Sequence, residues 1–116
     1  MVTSLLIVED NELLRKTVAA HLRDGGRFDS VIEAGTGAEA LSAAAEREFV
    51  AVVLDLSLPD VRGSSIISAL RAHSPAAHIV VFSADINGGA EAARFGADGF
   101  VLKGVDLAEL DRHFVA

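Results

Sequence analysis

Residues 49–55 read FVAVVLD, six apolar positions in a row and then a carboxylate. Hydrophobicity on every residue, rather than every second one, is what a strand buried on both faces needs, and such strands belong to parallel sheets covered by helices. Four more runs of this kind flank it: LLIV at 5–8, VI at 31–32, HIVVF at 78–82 and FVL at 100–102. Between the runs the apolar spacing lengthens to helical. Leu14, Val18 and Leu22 recur every fourth residue before Asp24-Gly25-Gly26 supplies a stop. Thr36 stands three residues before Glu39, the capping-box spacing, with Ala40, Leu41, Ala44 and Ala45 as the apolar side of the helix that follows. A third helix is predicted over residues 64–72, with Ile66, Ile67 and Leu70 inward. A fourth, weakened by Gly88-Gly89, is predicted around 90–95. The fifth starts at Asp106, three before Glu109, and carries Leu107, Leu110 and Phe114.

Strand and helix alternate five times with no repeat and no Pro/Gly/Ser linker, and connections this short leave room only for crossover helices. The expected fold is α/β: one domain, residues 1–116, a doubly wound (βα)5 five-stranded parallel sheet with helices on both faces and no output domain in this chain. Composition agrees. A chain of 116 residues suits a single core, and 51% apolar against 23% charged residues excludes intrinsic disorder. Ten Lys/Arg against seventeen Asp/Glu give a net charge of −7, which argues against direct binding of nucleic acid by this chain. Without Trp or Tyr there is no stacking platform for single strands, and without cysteine no disulfide or thiolate chemistry. The opening MVTS lacks a basic signal-peptide start, and no apolar run approaches the roughly twenty residues of a membrane helix. A cytoplasmic protein without a membrane partner is expected. His21, His73, His78 and His113 show no metal-ligand spacing and read as surface or core residues.

In open α/β sheets ligands bind outside the carboxyl ends of the strands. Glu9 and Asp10 follow the first run, Asp55 the third, Ser83-Ala84 end the fourth and Lys103-Gly104 the fifth. Three carboxylates so placed repel one another and need a cation, and hard oxygen ligands suit Mg²⁺. Their three negative charges balance Mg²⁺ plus Lys103. An acyl phosphate on Asp55, roughly a dianion, would leave the total near −1 with both cations on phosphate oxygens. A carboxylate nucleophile that becomes an aspartyl phosphate is established chemistry, in which positioning and electrostatics supply most of the catalysis. Singly, each residue has an ordinary reading: an acidic pair favouring a helix dipole, a loop acid, a surface lysine. Their joint placement points to chemistry.

The strings LLIVEDN at 5–11, VLDLSLPD at 53–60 with Gly63, VFSA at 81–84 and GADGFVLK at 96–103 together resemble the receiver (CheY-like) domain of two-component response regulators, over essentially the whole chain. The resemblance implies the flavodoxin-like strand order 2-1-3-4-5. It implies that Asp55 is the phosphoacceptor, taking a phosphoryl group from the phosphohistidine of a sensor histidine kinase or phosphotransfer protein. Asp10 would bind Mg²⁺ directly, Glu9 through water, and the backbone carbonyl of Ser57 would complete the protein ligands beside Asp55. Ser83 would bond a phosphoryl oxygen, Lys103 would pair with Asp55 and later with the phosphate, and Phe100 would be the aromatic switch that turns inward as Ser83 moves. Leu58-Pro59 and Gly63 would shape the loop after Asp55. The resemblance further implies a downstream effector or output domain (transcription regulation among the outputs), a dimer through the face of the fourth helix, fifth strand and fifth helix, and no enzymatic turnover beyond the chain's own phosphorylation and dephosphorylation.

Three departures from the family pattern stand out. Gly104 replaces the usual proline after Lys103, the interval from Ser83 to Phe100 is about two residues short with Gly88-Gly89 inside it, and Glu9 replaces the commoner aspartate. Other readings fit less well. A haloacid-dehalogenase-like phosphohydrolase wants a second aspartate two residues after the nucleophile, where this chain has Ser57, and more length for a cap. A flavodoxin would need a Ser/Thr-rich phosphate loop where Glu9-Asp10 stand. A phosphorylation-independent interaction module would leave the acidic constellation unused.

Overall fold

The computed structural model describes residues 2–104 and 106–114. Strands β1 (Ser4–Val8), β2 (Ser30–Ala34), β3 (Ala51–Leu54), β4 (His78–Ser83) and β5 (Gly99–Leu102) alternate with helices α1 (Glu12–Asp24), α2 (Gly37–Glu46), α3 (Gly63–His73), α4 (Gly88–Arg94) and α5 (Ala108–His113). All strand pairs are parallel, in the order β2-β1-β3-β4-β5. The expected doubly wound sheet is therefore the fold.

Burial explains the unbroken apolar runs. Alternate residues of β1 serve opposite faces: Leu6 and Val8 join Ile66, Ile67, Leu70 and Phe49 on the α2–α3 side. Leu5 and Ile7 join Val18, Leu22, Phe82 and Leu110 on the α1–α5 side. With water excluded from both faces, no position in the central strands tolerates a polar side chain cheaply. On the first of these faces α2 comes close to the segment leading into α3, because a Cβ on Gly37 would lie 2.5 Å from Val61 Cβ.

Several element limits differ from expectation, each for a local reason. The strand of the run 49–54 begins at Ala51; Phe49 is buried ahead of it, its amide donating to Ser74 Oγ at 2.8 Å. In α2 the buried face is Gly37, Ala40 and Ala44, whereas Ala45 is exposed. Thr36 caps that helix as predicted, accepting from the Glu39 amide at 3.1 Å, but Glu39 reaches back to the Gly35 amide instead of that of Thr36. Helix α4 spans 88–94 rather than 90–95, so both glycines are helical. Tertiary packing overrides their low propensity: the Phe100 ring lies against them, with Cε2 3.0 Å from where a Gly88 Cβ would sit. Asp106 accepts from the Ala108 amide, and Glu109 pairs with Arg112, so no capping box opens α5.

Candidate functional site

Register brings the expected residues to one edge. Val8 pairs with both Ala34 and Leu54, so β1, β2 and β3 end level, while Leu54 pairs with Val81 and β4 and β5 run two residues further, to Ser83 and Leu102. The first residue beyond each of three strands is still latched to its neighbour. The Glu9 amide donates to Ala34 O, the Asp55 amide to Val8 O and the Lys103 amide to Ser83 O, at 2.7–3.0 Å. Backbone hydrogen bonds thus fix the main chain at three charged residues that a loop alone would leave mobile.

Glu9 and Asp55 are each 3% exposed, which for carboxylates demands partners. Lys103 serves both: its Nζ lies 2.6 Å from Glu9 Oε1 and 3.0 Å from Asp55 Oδ2. The other oxygens take backbone donors, Asn11 N on Glu9 Oε2 at 3.0 Å and Ser57 N on Asp55 Oδ1 at 2.9 Å. Burial raises the Glu9 carboxyl above its usual range, against the pull of Lys103 and the Asn11 amide, while Asp55 pushes it up further. For Lys103, burial favours the neutral amine, yet the bonds to Glu9 and Asp55 outweigh it and raise its pKa.

Carboxylate oxygens of Glu9, Asp10 and Asp55 all lie within 4.8 Å of one another. Glu9 Oε1 is buried and meets Lys103 as an ion pair, with no donor aligned on it as a hydrogen bond. Asp10, by contrast, is exposed at the rim. Three carboxylates with oxygens this close together, one of them open to solvent at Asp10, are a donor set that fits a hard divalent cation.

Ser83 is buried, and its Oγ accepts from the Asp85 amide at 3.1 Å, closing the turn that leads into α4. Phe100 is half-buried over Gly88 and Gly89. Glu9, Asp10, Asp55, Ser83 and Lys103 thus lie along this edge, with Phe100 on β5 beside it. A groove of about 420 Å³ opens alongside, between Leu56 and residues 58–64 on one side and Glu91 of α4 and Phe95 just past it on the other, but none of the five polar residues lines it. The carboxylates stand on an open rim, and this groove does not enclose them.

Three features escaped the sequence reading. Glu9 forms an ion pair with Lys103 at 2.6 Å, linking the end of β1 to the end of β5. Arg15, one helical turn past Asn11, donates from Nη1 to the Glu9 carbonyl at 3.0 Å. Asp60 accepts from the Gly37 and Ala38 amides, which holds its carboxyl below the usual range and ties the loop after Asp55 to α2. An Asp-Val-Arg-Gly turn gives no sign of its distant helix.

Gly104 has φ of +96°, a conformation closed to proline, whose ring fixes φ near −65°. The departure from the family proline is therefore built into this backbone.

Relatives agree with this geometry. The transcriptional activator protein PfeR of Pseudomonas aeruginosa is 38% identical over 112 residues, covering 92% of this chain and 35% of PfeR. The transcriptional regulatory protein KdpE of Mycobacterium tuberculosis is 36% identical over 109 residues, covering 92% of this chain and 47% of KdpE. The chain thus spans less than half the length of these curated relatives. Among solved structures, a Burkholderia pseudomallei response regulator with a phosphorylated aspartic acid, a calcium ion and citrate superimposes with TM-score 0.85 at 28% identity, over 98% of this chain and 67% of that one. The receiver domain of a P. aeruginosa sensor histidine kinase, with a magnesium ion coordinated in its active-site cleft, gives 0.82 at 26%, over 97% and 93%. Residues 5–114 match the response regulator receiver domain as a family. With this match over residues 5–114, and with the strand order β2-β1-β3-β4-β5, the chain belongs to the family of response regulator receiver domains.

Proposed function

We propose that Asp55 accepts a phosphoryl group from the phosphohistidine of a sensor histidine kinase or phosphotransfer protein, and that the modified domain signals through its α4–β5–α5 face to an output domain, a downstream effector or a second copy. The observation that carries this reading is the pairing of Asp55 with Lys103 at the mouth of a three-carboxylate cluster. The phosphorylated aspartic acid of the Burkholderia neighbour and the magnesium of the Pseudomonas one support it.

The chain's own groups supply the positioning. Ser57 N holds Oδ1 and Lys103 holds Oδ2, so the Asp55 carboxylate presents a fixed face to an incoming phosphorus. A carboxylate oxygen forms the new O–P bond as the P–N bond breaks, and the imidazole leaves with its electron pair and takes a proton from water. Lys103 then follows the charge onto a phosphoryl oxygen. Mg²⁺, held by Asp10, Asp55, the Ser57 carbonyl and, through water, Glu9, would neutralise charge on the phosphoryl oxygens. Ser83 would give up the Asp85 amide to donate to the phosphoryl group, and Phe100 would move inward behind it.

The domain would be a switch rather than an enzyme, turning over only its own phosphate, and would work in the cytoplasm beside the kinase. No described helix is long and apolar enough to cross a membrane. With Mg²⁺ and acetyl phosphate the protein is expected to gain one phosphoryl group, and beryllofluoride should bind in its place. Labelling that persists in Asp55→Asn, or none in the wild type, refutes the assignment. Sustained hydrolysis of a small phosphate ester would favour the phosphohydrolase reading.

A further inference from the structure

Asp10 is the exposed member of the acidic cluster, so its placement depends on its backbone. That backbone is held from outside the loop. Arg15, in the first turn and a half of α1 and 15% exposed at its side chain, donates from Nη1 to the Glu9 carbonyl at 3.0 Å. This carbonyl belongs to the peptide that joins Glu9 to Asp10. The guanidinium is itself fixed from β2, where Glu33 Oε1 accepts from Arg15 Nε at 3.3 Å.

A second observation shows that the structure makes room for this group. A Cβ on Gly35 would lie 2.9 Å from Arg15 Nη1 and 3.4 Å from Cζ. Gly35 follows Ala34, whose carbonyl accepts the Glu9 amide, so guanidinium, glycine and acidic loop form one layer at the end of β1 and β2. Glu33 also meets Lys16 Nζ at 3.7 Å and Arg23 Nη2 at 3.3 Å. It therefore keeps cationic partners if Arg15 is lost.

We propose that Arg15 is a positioning residue for the metal and phosphoryl site: by holding the Glu9 carbonyl, and being held by Glu33 against Gly35, it sets the angle at which Asp10 meets a divalent cation. This rests on the metal reading proposed above. A planar guanidinium suits the task because its rigid fork reaches a carbonyl and a carboxylate together, which a lysine ammonium does not. Groups that orient ligands without touching the metal typically carry about 10–100-fold of its affinity.

The sign of the effect separates positioning from charge. Removing a nearby cation should by Coulomb's law alone tighten Mg²⁺ binding, whereas loss of orientation weakens it. Mg²⁺ titration of the metal-free protein, followed by the NMR shifts of the Asp10, Asn11 and Ser57 amides, reads this without any phosphorylation. Arg15→Gln is expected to weaken Mg²⁺ by about tenfold. Gly35→Ala keeps every charge and displaces only the end of a flexible side chain; it should weaken Mg²⁺ in the same direction at unchanged melting temperature. Unchanged or tighter binding in both folded variants overturns the assignment, as does a loss of stability with no change in Mg²⁺ affinity. If Arg15→Gln fails to fold, Gly35→Ala decides alone. A wild type without Mg²⁺-dependent shifts would overturn the metal reading itself, and the role of Arg15 with it.

Discussion

Replacing Lys103 with methionine keeps an apolar side chain of similar length and removes the ammonium, which lies 5.8 Å from the Phe82 ring centroid. Glu9 and Asp55, each 3% exposed, then lose their shared cation. At an effective dielectric of about 20, unit charges at the observed 2.6 and 3.0 Å attract by about 6 kcal/mol each. Desolvation of the ions already offsets much of that, so the net cost of breaking such a buried pair is about 3–5 kcal/mol. The cost depends on pH. Glu9 already titrates above its usual range, chiefly through burial, and without Lys103 it moves higher still. A proton therefore relieves the variant as pH falls, while the penalty is full once Glu9 is ionised. Lys103 itself is raised above 10.5, so its contribution to the wild type is complete below that value and is lost as pH climbs through the folded-state pKa. With no Trp or Tyr in the chain, urea unfolding is best followed by far-UV circular dichroism. In EDTA near pH 8 the variant should lose about 3–5 kcal/mol, and recover part of it near pH 5.5 or on adding Mg²⁺. A loss below about 1 kcal/mol, or one indifferent to pH, would refute the shared-counter-ion account.

Other substitutions probe the frame of the site. Burial works against ionised Asp98, but Arg71, the Ile79 amide and His78 prevail and hold its carboxyl low. Its contribution is present above pH 3.8 and lost as pH falls through the lower folded-state value. Because the side chain is 37% exposed, Asp98→Asn should cost only about 1 kcal/mol at neutral pH, with the difference from wild type vanishing in acid-titrated urea melts. A Cβ on Gly63 would collide with Leu56 Cδ2 and fall 3.2 Å from Leu56 Cα, so Gly63→Ala should destabilise by about 1–3 kcal/mol and slow acetyl-phosphate labelling of neighbouring Asp55. Gly104→Pro, which would restore the family residue, should destabilise by more than about 1 kcal/mol, because φ of +96° excludes the ring; a thermal melt without a downward shift would contradict this.

Fold class was legible because burial on both faces of a sheet leaves an unmistakable trace, as in residues 49–54, whereas the strand order came only with the resemblance to receiver domains. The weakest strand in the sequence, Val31-Ile32, is the half-buried edge strand β2, where less apolar length is needed. The acidic edge was legible because strand ends are marked by the abrupt change from Leu54 to Asp55 and from Val8 to Glu9. What could not be read depends on distant partners. The start of α4 is set by an aromatic ring on β5, and the rotation of α2 by Val61. The guanidinium of Arg15 reaches Glu9 only once α1 has folded back along β1. Local patterns carry no record of such meetings.

The hydroxyl of Ser83 is not idle at rest: it is engaged by the Asp85 amide. A single neutral hydrogen bond of this sort contributes about 1 kcal/mol, roughly a factor of five in a population. Were that bond the whole free-energy difference between two arrangements, one unmodified molecule in about six would already stand in the second arrangement. If the proposed switch holds, the resting population is then set by what reinforces one short turn, above all the Phe100 ring seated on two glycines. Background output, rather than maximal output, is where changes at Asp85, Gly88 and Gly89 would first be noticed.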